Sequence, residues 1–210
     1  MDRFFRCITK GWLFLILVGG ALAVLNGRLF ITSMKPAVSF QDMLDGTEIH
    51  EGSHVAGNVV YSLDYFAEET TYTRYKDGSR SGDRKNGKYY LIPTASGFAG
   101  LKCREVDVSD MNKLTDETFD LLEGGAEPST EIFLQGRVEK MDDSLVKYFN
   151  EYLMDMGYSE SEISALGEPL VIRYTSFGAV RVMFAIGVVF LVAAGIIFKI
   201  RFKREGQKAD

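Results

Sequence analysis

The stretch His50-Glu51-Gly52-Ser53-His54 fits the H-E-x-x-H pattern, and the chain has no other histidine. On a helix, histidines four apart can share one Zn²⁺ while the intervening Glu serves as the general base of peptide hydrolysis. A metal-dependent hydrolase using His50, Glu51 and His54 is therefore one reading of the chain. The neighbouring residues argue against the helix. Gly52 costs a helix about 1 kcal/mol relative to Ala, and Val55, Val59 and Val60 follow in strand-like order. In extended backbone, residues four apart share a face but stand about 13 Å apart, too far for one metal. The first acidic residue beyond His54 is Asp64. Exposed turn histidines are expected instead, with no catalytic residue, no metal and no cofactor.

Other chemistry-bearing residues have ordinary roles open to them. Glu68-Glu69, Asp142-Asp143 and the group Asp116, Glu117 and Asp120 suit solvated faces and helix N-termini as well as cations. Tyr72, Tyr75 and Tyr89-Tyr90 suit a ligand surface or ordinary strands. Cys7 and Cys103 are the two cysteines, and the topology argued below separates them. Cys103 then reads as a lone thiol, a small buried apolar residue or, less commonly, an intermolecular link. No phosphate loop, Cys-x-x-Cys or nucleophile–base arrangement is present.

The elements that must carry these residues are set by one feature. Val182 to Phe198 is seventeen residues without a charge, and extension back to Phe177 gives about 22, enough to cross some 30 Å of hydrocarbon. Gly11 to Leu25 is a second apolar run, which resumes after Arg28 and predicts a helix over 11–31. Ala21-Leu22-Ala23 after a basic start also resembles a cleavable signal peptide, but the resumed apolar run favours a retained helix. Gly19, Ala23 and Gly27 lie four apart on one face of it, a stripe that lets another helix approach closely.

Charge sets the sides. Residues 33–177 hold 14 Lys/Arg against 26 Asp/Glu, whereas 199–210 carry five against two. Basic flanks stay cytoplasmic, which predicts tails 1–10 and 199–210 inside, spans 11–31 and 177–198, and an extracytoplasmic domain over 32–176. So acidic a domain is a poor ligand for nucleic acid.

Within 32–176 the pattern is α+β. Strand pattern runs from Thr47 to Phe66, interrupted by Gly52 and Gly57, which suggest a turn and a bulge. Further strands are predicted from Thr70 to Tyr75, over 88–94 and 98–108, over 131–140 and over 170–174. Gly78 and Gly82, with Asn86-Gly87 at the end, mark an exposed hairpin loop. Helices are predicted over 109–123, from Asp142 or Asp143 to Gly157, and from Ser159 with a capping box at Glu162. A small antiparallel sheet or partly closed barrel with two to three helices follows.

Several local runs occur together: Glu51-Gly52 before Val55 and Gly57, Tyr65-Phe66-Ala67-Glu68, Lys88-Tyr89-Tyr90-Leu91-Ile92-Pro93, and Gly157-Tyr158-Ser159. In these the chain resembles an uncharacterised family of bacterial two-pass membrane proteins with an extracytoplasmic α+β domain. The resemblance implies topology and fold and no activity. The sequence reading is thus a non-enzymatic plasma-membrane protein of the cell envelope, an interaction or assembly module. Its partners would be the lipid bilayer and another membrane protein or a second copy.

Overall fold

The computed structural model describes residues 10–207 and divides into two compact units. One unit is a pair of long helices, α1 (Lys10–Met34) and α6 (Phe177–Gln207); the other is the α+β domain Lys35–Thr175. Cys7 and most of the predicted tail 1–10 lie outside the described residues.

The domain runs α2 (Phe40–Leu44), β1 (His54–Asn58), β2 (Tyr65–Thr71), β3 (Arg84–Thr94), β4 (Gly97–Arg104), α3 (Val108–Leu122), β5 (Phe133–Lys140), α4 (Asp143–Asp155), α5 (Glu160–Ala165) and β6 (Leu170–Tyr174). The six strands form one sheet in the order β1-β5-β6-β4-β3-β2. It is mixed rather than purely antiparallel, because β4 and β6 pair in parallel through Leu101 and Ile172.

It is also open, which corrects the expectation of a partly closed barrel. β1 and β2 occupy opposite edges. Five interstrand steps make about 24 Å, a distance that the extended residues between the two strands can just cover. Val59 N donates to Ile132 O and Leu63 N to Leu91 O along that crossing, so the chain is strung between the edges rather than folded into a hairpin.

Alternation along the strands gives each face its own core. Tyr90 and Ile92 of β3 join Leu101, Val138 and Ile172 beneath Phe40 and Met43 of α2 and Met111 and Leu114 of α3. Tyr89 and Leu91 turn the other way, to Phe66, Val171, Leu145, Phe149 and Leu153 of α4 and Ile163 of α5. Gly100 makes room on this second face, since a Cβ there would stand 2.8 Å from Met141 Cε.

Caps fix the helices. Asp142 accepts from Leu145 N at 3.0 Å, and Ser159 with Glu162 forms a capping box on α5. A second box, Ser39 with Asp42, starts α2, a helix the apolar pattern does not announce. Within the run from Thr47 to Phe66 the chain turns at Gly52, as that glycine suggests. Strand is limited there to His54–Asn58 and the start of β2 at Tyr65, with turn and loop over 45–53 and 59–64.

Both α1 and α6 are long and apolar enough to cross a membrane. They pack antiparallel: Trp12 Nε1 donates to Ala194 O at 3.0 Å, and Phe30 stacks on Phe184 at 4.2 Å. Arg181 Nε donates to Ser33 Oγ at 3.1 Å, and its guanidinium also reaches Ser33 O.

Candidate functional site

His50 to Ser53 form a tight turn, in which Ser53 N donates to His50 O at 2.9 Å and His50 N to Ser53 Oγ at 3.0 Å. Gly52 takes φ +83°, a left-handed value that suits glycine at this corner. The turn is tied to β5 by Gly52 N donating to Val138 O and Val138 N donating to Ser53 O. His54 opens β1, with Nδ1 3.3 Å from Lys35 O. The H-E-x-x-H residues therefore lie on a turn and a strand start, without the helix that brings both imidazoles of a zincin to one metal. Among the described residues no group of three or more His, Cys, Asp and Glu is placed to hold a metal ion.

His50 and Glu51 do border a cleft of about 450 Å³. Phe98, Leu166 and Leu170 line its apolar part, and Glu48 and Glu168 line the charged part. Glu168 is held by Lys140 Nζ at 2.7 Å, and His50 Nε2 stands 3.9 Å from Glu48. Thr47, Thr94 and Ser96 add hydroxyls to the lining.

A second constellation comes from the sheet register. His54 pairs with Arg137, Arg137 with Arg173, Arg173 with Lys102, and Lys102 with Tyr89. Directly opposed residues share a face, so one polar row crosses five strands. Its charge is balanced from within. Arg173 Nε lies 3.1 Å from Glu139 and its terminal nitrogen 3.4 Å from Asp142, while Lys102 pairs with Glu69.

Tyr89 OH donates to Glu69 at 2.9 Å; burial and that acceptor push its phenol up to about 12. Burial opposes ionisation of Glu69, but hydrogen bonds from Lys102 and Tyr89 hold its carboxyl below the usual range. Arg137, Arg173 and Lys102 thus face Glu69, Glu139 and Asp142 across the row, with Arg137 3.7 Å from Glu139. No local signal marks this row. Each member is an ordinary alternate residue of its own strand, and only long-range pairing aligns them.

Cys103 is buried, and desolvation pushes its thiol up to about 12, so it is inert. Glu117 accepts from Thr130 N at 2.9 Å and Ser129 N at 2.8 Å, pinning the loop that follows α3. Asp142 caps α4, and Glu68 takes Lys85 at 2.8 Å. Tyr90 OH donates to Asn112 at 2.6 Å, inside the first core. Tyr72 and Tyr75 are each 53% exposed.

In the helix pair Gly19 meets α6: a Cβ there would lie 2.9 Å from Gly187 O and from Phe190 Cβ. A Cβ on Gly187 would lie 2.9 Å from Ala23 N, so Ala23 is at the same approach. Gly27 is not, since nothing stands within 4 Å of its Cβ position.

These features define two units: an α+β domain built on an open mixed sheet, and a pair of apolar helices that precede and follow it in sequence. The chain belongs to the family described as a domain of unknown function (DUF8577), which matches residues 2–202. No curated protein and no solved structure matches it.

Proposed function

We propose that this is a two-pass membrane protein, spanning at 11–31 and 177–198 with both tails cytoplasmic. Its domain 32–176 stands outside as a non-enzymatic interaction or assembly module of the cell envelope. The observation that carries the reading is the antiparallel pairing of α1 and α6 around Gly19 and Gly187. It brings Trp12 to Ala194 and Ser33 to Arg181, so both ends of the pair's sequence emerge on one side. Lys199, Arg201, Lys203 and Arg204 follow the second apolar run, and basic residues there favour the cytoplasm. Charge asymmetry supports the same assignment, with an acidic domain between basic tails. The turn geometry of His50-Glu51-Gly52-Ser53-His54 and the balanced polar row support binding over catalysis.

The test is labelling in intact cells with a membrane-impermeant thiol reagent. Ser79→Cys is expected to react and Gln207→Cys to stay unlabelled, against a silent background from buried Cys103. The reverse pattern would overturn the topology. Crosslinking in intact membranes then reads the module role through the species captured.

A further inference from the structure

The acidic domain carries one basic projection. Between β2 and β3 the chain forms an arm in which Tyr75 N donates to Ser79 O and Ser81 N to Thr73 O, with Arg74 opposite Arg80. From Tyr72 to Lys85 the charges are Arg74, Lys76, Arg80, Arg84 and Lys85 against Asp77 and Asp83. The other residues of 33–177 hold nine Lys/Arg against 24 Asp/Glu. Arg74, Lys76 and Arg84 make no ion pair among the described residues, while Arg80 lies 3.9 Å from Asp83 and 5.1 Å over the ring of Tyr72. Exposed aromatics interleaved with arginine are the composition of an interface core.

The complementary surface is on α3. Residues 114–136 contain Asp116, Glu117, Asp120, Glu123, Glu127 and Glu131 and no Lys or Arg. Within that stretch Phe119 and Leu122 are 42% and 69% exposed, although the same helix buries Met111 and Leu114 completely. Asp116, Asp120 and Glu123 flank this apolar pair within one turn. Among the described residues no ion pair joins the arm to α3 within one copy.

We infer that the arm of one copy docks on the α3 surface of a second copy. Tyr72 and Tyr75 would meet Phe119 and Leu122, and Arg74, Lys76 and Arg80 would meet Asp116, Asp120 and Glu123. The inference rests on the interaction-module reading and supplies its partner. Opposite charge selects this pairing over arm on arm or α3 on α3, both of which repel. The contact is head-to-tail, so it builds a ring or an open row rather than a closed two-fold dimer.

The experiment uses the full chain in mild detergent, with its mass followed by light scattering. Self-association is expected at roughly 50 mM salt and to weaken at roughly 500 mM, where screening acts within a few ångströms. Arg74→Glu with Arg80→Glu, and separately Asp116→Lys with Asp120→Lys, each weaken it about tenfold or more. Mixing the two reversed proteins restores it, because each then offers the other a complementary surface; a misfolded variant could not do this.

Association that ignores both reversals, or is not restored by mixing, overturns the pairing while leaving the module reading intact. A wild type that is monomeric and binds anionic vesicles through the arm overturns it in favour of lipid headgroups. A monomer that also captures nothing by crosslinking in membranes removes both readings.

Discussion

Along α4, Leu145, Phe149 and Leu153 are buried while Lys147 and Glu151 face out and pair at 3.8 Å. Along α1, Val24 and Leu25 are 78% and 76% exposed, and the buried residues are Gly19, Thr32 and Ser33. The first helix gains its place by removing large apolar side chains from water. The second gains it by close backbone approach through glycine, the mode that works where the surroundings are themselves apolar. The same residue type therefore has opposite weight in the two regions: leucine holds α4, and glycine holds α1.

The largest expected effect breaks the comparison at its centre. Leu153→Ala, at 0% exposure, should destabilise the domain by about 2–5 kcal/mol through lost burial and a residual cavity. Leu25→Ala should change it by less than about 0.5 kcal/mol in detergent. Denaturant unfolding followed by far-UV circular dichroism reads both. Equal losses would mean that α1 is held by ordinary apolar burial.

The next effect sharpens the glycine side. Gly19→Leu must force apart backbones that already leave no room for a Cβ, costing the helix pair about 1 kcal/mol or more. Gly27→Leu, with open space at its Cβ, should leave it unchanged. Titration of the purified protein with a denaturing detergent would separate the two. A loss at Gly27 as large as at Gly19 would restore the full three-residue stripe.

How much of this was legible follows from whether a signal is local. Asp142 as a cap, Gly157 as a stop at φ +97° and the Ser159–Glu162 box are set by neighbours in sequence, and they were readable. The buried face of α3 was legible only in part. Met111 and Leu114 lie inward, but beside them are Thr115, whose hydroxyl donates to Ser62 Oγ, and Thr118, whose hydroxyl accepts from Ser62 N, while Phe119 and Leu122 face outward. The Asn86-Gly87 turn expected from sequence is instead part of β3. Gly87 is needed there because a Cβ would overlap Cys103 O, a neighbour from another strand. The parallel β4–β6 pair and the polar row depend on register between distant segments, which no local pattern encodes.

A smaller effect returns to α4. Asp142→Ala removes the acceptor of Leu145 N and one contact of Arg173, and should cost about 1 kcal/mol. Asp142→Asn keeps the cap and should recover most of the loss in thermal unfolding. No recovery would give the larger share to the Arg173 contact.

The smallest effect is read in pH dependence and concerns the loop beside the exposed face of α3. Glu117 accepts from the backbone N–H of Thr130 and Ser129 and from both hydroxyls, and these bonds lower its carboxyl to about 2 against an ordinary value of 4.5. The folded state thus binds the proton less readily than the unfolded chain. Its contribution to stability is complete above about pH 4.5 and is lost as pH falls toward about 2. Glu117→Gln keeps an acceptor but cannot titrate, so the stability difference from wild type should be constant above pH 4.5 and shrink below it. The side chain is half-buried but reachable by solvent and ions, so the difference should be small beside the cap and core effects. A difference independent of pH between 2 and 5 would show that the loop is held by hydrogen-bond geometry alone, with the charge of Glu117 contributing nothing.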